Sequence, residues 1–82
     1  MLSNKNIFIP QMVFNVQGVP VLFGVVKSGI LKKGMTVTVD KKTLKIIKIE
    51  QGPTNLGVSL TDLDVIQAQS LVNIKLEFFE IK

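Results

Sequence analysis

The chain contains no cysteine, no histidine, no arginine, no tryptophan and no tyrosine. Each absence removes a class of chemistry. Without cysteine there is no disulfide, no thiolate nucleophile and no soft metal ligand, and cysteine usage says nothing about the redox compartment. Without histidine the usual general base, the commonest metal ligand and the side chain that titrates near neutral pH are lost together. Without arginine the bidentate fork that reads phosphates and guanine edges is missing. Long apolar runs are absent too. The longest, Val19 to Phe23, stops at Gly24, far short of the roughly 20 residues of a membrane helix. The first ten residues, MLSNKNIFIP, lack the continuous apolar core of a signal peptide, so no membrane role and a cytoplasmic location are expected.

What remains describes a small globule. The 82 residues make a single domain spanning 1–82. A hydrophobic content of 46% suits a packed core and argues against disorder. All 10 basic residues are lysines, set against 6 acids, for a net charge of +4. Such an excess draws acidic partners, phosphate backbones included, by long-range attraction. It permits salt-sensitive polyanion binding and does not provide sequence-specific readout.

Alternation with period two dominates, and Gly, Pro, Asn and Asp recur at short intervals, the pattern of an all-β sandwich or barrel. A first strand is expected from Ile7 to Val16, with Phe8, Met12, Phe14 and Val16 on one face and Pro10 marking a bend or edge. Gln17 to Pro20 forms a turn. The next strand, Val21 to Val26, is apolar on both faces, which makes it central or covered on its outside by a loop or another protein. Met35 to Val39 points Val37 and Val39 inward. In Leu44 to Glu50 the apolar phase slips between Ile46 and Ile47, and a β-bulge there reconciles the two halves. Gln51 to Gly57 is a loop. No segment has helical periodicity of useful length, and a long last strand is expected from Leu71 to about Ile81, with Val72, Ile74, Leu76 and Phe78 inward. Phe79 and Ile81 move to its opposite face, either packing under Ile7 and Ile9 or docking a partner.

The order G-x-P-V-x-x-G-x-V-x-x-G-x-L-x-x-G-M-x-V-x-V, running from Gly18 to Val39, resembles the second domain of translational GTPases. These include the elongation factors of the Tu and 1-alpha type and initiation factor 2. Gly24, Gly29, Ile30-Leu31-Lys32 and Gly34 occupy the places of the family's glycine corner, and Val13 to Val16 resembles the strand that leads into it. Leu71 to Leu76 is similar to the family's closing strand. The chain departs from the pattern at Val19-Pro20-Val21, at Met35 and at Ala68-Gln69, and it has no GTPase domain. The resemblance implies a small closed β-barrel of six or seven strands. Gly29 and Gly34 are then expected at positive φ, and Gly24 where backbones approach closely.

Gly24 to Gly29 and Gly29 to Gly34 have the glycine spacing of a phosphate-binding loop, but Ile30-Leu31 and Met35-Thr36 stand where Lys and Ser or Thr are required. They read as turn glycines, and no nucleotide or other cofactor is expected. Asp62 and Asp64 lie close enough to share a cation, yet a hard cation wants six to eight oxygens, and no metal site is assigned. The lysines supply the remaining candidate. Lys27, Lys32 and Lys33 flank one corner, while Lys41, Lys42, Lys45 and Lys48 follow on the next turn and strand. The bulge would bring Lys45 and Lys48 to the same outer side. They read either as an RNA- or partner-binding patch or as a guard against edge-to-edge aggregation. The expectation is a non-catalytic binding module, an accessory of translation or RNA metabolism that meets tRNA, ribosomal RNA or a ribonucleoprotein through lysines. The alternative is a protein–protein adaptor or homo-oligomerising barrel without a nucleic-acid role.

Overall fold

Strand β1 (Asn6–Val16) turns into β2 (Val19–Ser28) through Gln17 and Gly18, whose φ angles are both positive, 53° and 84°. Such a two-residue turn matches the right-handed twist of the strands it joins. The same device joins β3 (Thr36–Val39) to β4 (Lys42–Gln51), with Asp40 at φ 49° and Lys41 at φ 67°. Strand β5 (Leu56–Leu60), helix α1 (Val65–Ser70) and β6 (Leu76–Phe78) complete the chain. The computed structural model describes residues 5–80.

The strands form one six-stranded sheet in the order β3-β4-β5-β2-β1-β6, antiparallel at every pairing. Its two edges meet. Thr36 and Phe79 exchange backbone hydrogen bonds of 2.8 Å in both directions, and the sheet curls into a nearly closed barrel. The chain is an all-β small barrel, one of the two architectures the alternation allows. Beside this seam the Asn6 side chain accepts from the Ile30 N–H at 3.1 Å and donates to the Phe78 carbonyl at 3.3 Å. Gly29 and Gly34 both have positive φ, 70° and 97°, as the turn reading requires.

Three register shifts allow a short sheet to bend this far, one between Ile7↔Ser28 and Phe8↔Val26 and two bulges that decide which side chains face the core. One falls at Ile47, between the pairs Ile46↔Leu60 and Lys48↔Ser59, where the phase slip predicts it. Leu44 and Ile46 enter the core and Ile49 packs against it from beyond the bulge. The other falls at Gln11, between Pro10↔Gly24 and Met12↔Phe23. Pro10 has no N–H to give the ladder, and its carbonyl instead accepts from the Asn73 N–H at 2.7 Å. This second bulge corrects the expected face of β1. Phe8 is fully buried, whereas Met12, Phe14 and Val16 are exposed, because the extra residue moves them to the outside and turns Val13 toward the core.

Phe8, Leu22, Leu44, Ile46, Val58 and Phe78 are the fully buried centre, with the rings of Phe8 and Phe78 edge-on at 6.4 Å. Leu63, Ala68 and Leu71 bring α1 and its flanks into the same cluster. The C-terminal third corrects the sequence reading twice. Asp64 caps a helix over Val65–Ser70 by accepting from the Gln67 N–H, and six residues are too few to display a helical period. Residues 71–74 then turn instead of extending, with Asn73 at φ 69° and the Ile74 N–H bonded to the Leu71 carbonyl at 3.1 Å. The last strand is therefore only Leu76–Phe78. Val72 is half-buried, Ile74 is exposed, and Leu76 and Phe78 are buried as expected. Phe79 is exposed, and Ile81 lies outside the described residues.

Candidate functional site

The bulge at Gln11 has a consequence for the surface. Beyond it, alternate residues of β1 face outward opposite alternate residues of β2, in the register Met12↔Phe23, Phe14↔Val21 and Val16↔Val19. Every one of these is apolar. The rings of Phe14 and Phe23 stack edge-on at 5.3 Å, and Phe23 lies over Gly57 of β5, where a Cβ would come within 2.8 Å of the ring. Val21 is buried and Phe23 half-buried, while Met12 (43%), Phe14 (51%), Val16 (50%) and Val19 (43%) remain open to solvent. From the other side the bulged Ile47 of β4 adds a further exposed side chain, also 43% accessible.

Between the β1–β2 hairpin and β4 the outer face sinks into a depression of about 390 Å³. Val21 and Ser59 form its floor, Val16 and Val19 one wall, and Ile47, Lys48 and Glu50 the other. Lys48 and Glu50 pair at 3.4 Å on the rim. Ile47 and Val19 are shared with a second depression that reaches Leu63 and Asp62. The arrangement is an apolar strip on β1 and β2, faced across Ser59 of β5 by Ile47 of β4 and edged by charges of both signs. Its apolar side chains can exclude water against a matching surface.

The predicted lysines are spread more widely. Lys41 lies in the β3–β4 turn and Lys42 opens β4, opposite Val39. Lys45 and Lys48 stand exposed on the outer side of β4, as the bulge at Ile47 requires. Lys32 and Lys33 lie in the corner before β3, at the opposite end of that strand from Lys41, and Lys27 is near the end of β2. The fold therefore sets Lys41, Lys42, Lys45 and Lys48 along one hairpin, and the Gly34 N–H, bonded to the Ile46 carbonyl at 2.9 Å, holds the corner that carries Lys32 and Lys33 beside β4. Lys32 pairs with Glu80 and Lys48 with Glu50, both at 3.4 Å; Lys27, Lys33, Lys41, Lys42 and Lys45 have no acidic partner among the described residues.

Asp64 is committed to the helix cap at 2.7 Å, and no cluster of three or more metal-ligating side chains occurs among the described residues. No described helix is long and apolar enough to cross a membrane. The exposed apolar strip is what residue-by-residue reading missed; its one visible trace is the second strand, apolar on both faces. Comparison with protein-family models, curated proteins and solved structures found no match.

Proposed function

We propose that this chain is a non-catalytic binding module whose working surface is the outside of its barrel, and that it engages protein. One observation carries the reading: Met12, Phe14, Val16 and Val19, each more than two-fifths exposed, lie side by side on the outer face of β1 and β2, with the equally exposed Ile47 across the depression beside them. Scattered exposed apolar residues need no explanation, but a contiguous patch with a polar rim marks an interaction site. A partner that covers it gains the hydrophobic transfer energy of the strip, about 25 cal/mol per Å² removed from water.

A second reading rests on a different observation. Lys41, Lys42 and Lys45 line one hairpin and form no ion pair among the described residues, and the Gly18 to Val39 pattern resembles a domain of translation factors. Together they support contact with tRNA, ribosomal RNA or a ribonucleoprotein, in translation or RNA metabolism within the cytoplasm. Affinity purification of the chain from native extract, with and without nuclease, separates the two. The protein reading predicts partners that survive nuclease and are lost on Phe14→Lys. Partners that disappear with nuclease, withstand Phe14→Lys and weaken steeply with salt would transfer the function to the lysine hairpin.

A further inference from the structure

We infer that the occupant of the outer apolar strip is a second copy of this chain, packed face to face about a two-fold axis. The inference rests on the protein-binding reading above and names its partner.

Shape is the first argument. The strip is presented by adjacent strands of one sheet, so the complementary surface is another apolar sheet face, and two such faces pack about 10 Å apart with interdigitating side chains. Met12, Phe14, Val16 and Val19 are exposed on the face, while the floor of the depression beside them, Val21 and Ser59, is recessed. A two-fold rotation sets the ridge of each copy against the hollow of the other, which is how one patch becomes its own complement.

Charge is the second argument. The rim carries a cation and an anion side by side, Lys48 and Glu50 at 3.4 Å. The lysine-rich chain is elsewhere basic, yet here Glu50 and Asp62 offset Lys48 and its neighbour Lys45 along β4. A polyanion meets carboxylates at this edge. A second copy meets matched signs, with Lys48 of each chain facing Glu50 of the other.

Size is the third. Five residues of strand rise and four strands of width give a face of roughly 300 Å² in projection, apolar apart from Ser59 at its floor. A standard interface buries about 800 Å² on each partner, an apolar core inside a polar rim. The strip therefore has the dimensions of an interface core, and the surrounding charged rim supplies the remainder.

Sedimentation velocity across a wide range of protein concentration tests this. The wild-type chain is expected to pass from monomer to dimer. Phe14→Lys and Val19→Lys are each expected to weaken the dimer by about tenfold or more, whereas Phe79→Lys, at an exposed site beside the seam, leaves it unchanged. Far-UV circular dichroism on the same samples verifies that each variant is folded. The decisive arm is a charge exchange. Lys48→Glu and Glu50→Lys each disfavour self-pairing, and mixing the two variants is expected to restore the dimer. A wild-type chain that stays monomeric throughout, or a dimer indifferent to Phe14→Lys, Val19→Lys and the charge exchange, overturns the inference. A monomer that still retains nuclease-resistant partners through Phe14 overturns self-association alone and leaves the protein-binding reading in place. Loss of both removes both.

Discussion

Phe8→Ala is expected to leave little folded protein at room temperature. The ring is fully buried, sits edge-on to Phe78, and belongs to the stretch where Asn6, Ile7 and Phe8 of β1 register with Phe78, Glu77 and Leu76 of β6. Removing it opens a cavity where the barrel is narrowest in hydrogen bonds, since β6 reaches β3 through the single Thr36–Phe79 bridge. Truncating a core phenylalanine costs about 3–5 kcal/mol. Domains as a class hold only about 5–15 kcal/mol in total, and one this small sits toward the lower end. With no Trp or Tyr in the chain, urea unfolding is best followed by far-UV circular dichroism. Phe79→Ala is the control. That ring is 55% exposed and its bridge uses backbone atoms, so a change of at most about 0.5–1 kcal/mol is expected. A Phe8→Ala variant as stable as Phe79→Ala would mean that the seam is not held by this aromatic pair.

Gly24→Ala is the second large effect, and it arises from contact, not conformation. A Cβ at Gly24 would collide with the Ile9 carbonyl oxygen and come within 2.7 Å of the Pro10 Cα. Both are backbone atoms of β1, held by the β1–β2 register, and neither can swing aside as a side chain would. One strand must separate from the other at the pair that adjoins the Gln11 bulge. Overpacking of a fitted interior costs about 1–3 kcal/mol, and a clash against backbone belongs at the top of that range or above it. Gly18→Ala gives the contrast. Nothing lies within 4 Å of a Cβ there, and only the φ of +84° resists it, a penalty of about 1–2 kcal/mol. Urea midpoints are expected to fall in the order wild type, Gly18→Ala, Gly24→Ala. Equal midpoints for Gly24→Ala and wild type would show that β1 and β2 do not approach as closely as this geometry states.

The two bulges show why part of the fold can be read from residues and part cannot. At Ile47 the bulge separates Leu44 and Ile46 from Ile49, so the change of face is written into the order of apolar and charged positions. At Gln11 the same event leaves no such mark. Phe8, Met12, Phe14 and Val16 keep an even spacing across it, because the residues turned outward are apolar too. An exposed hydrophobic face mimics an uninterrupted inward one, and the surface argued here to bind a partner is also what hides its own register shift. The C-terminal third was obscured differently. Val72, Ile74, Leu76 and Phe78 alternate as a strand should, but the Asp64 cap and the left-handed Asn73, whose N–H is taken by Pro10, override that alternation with local hydrogen bonds. The grouping of Lys41, Lys42, Lys45 and Lys48, by contrast, is legible in the sequence, because the four are local in it and lie on one turn and the strand that follows it.

Because the chain has no cysteine, single cysteines can report which side of β1 faces water. Met12→Cys, Val13→Cys and Val16→Cys, each treated with a thiol reagent at a concentration where the chain is monomeric, address the outward turn on which the binding surface depends. Fast modification at positions 12 and 16 and slower modification at 13 is the predicted result. Protection at 12 and 16 with rapid modification at 13 would mean that β1 runs without its bulge, that these side chains belong to the core, and that the barrel has no apolar outer face to offer.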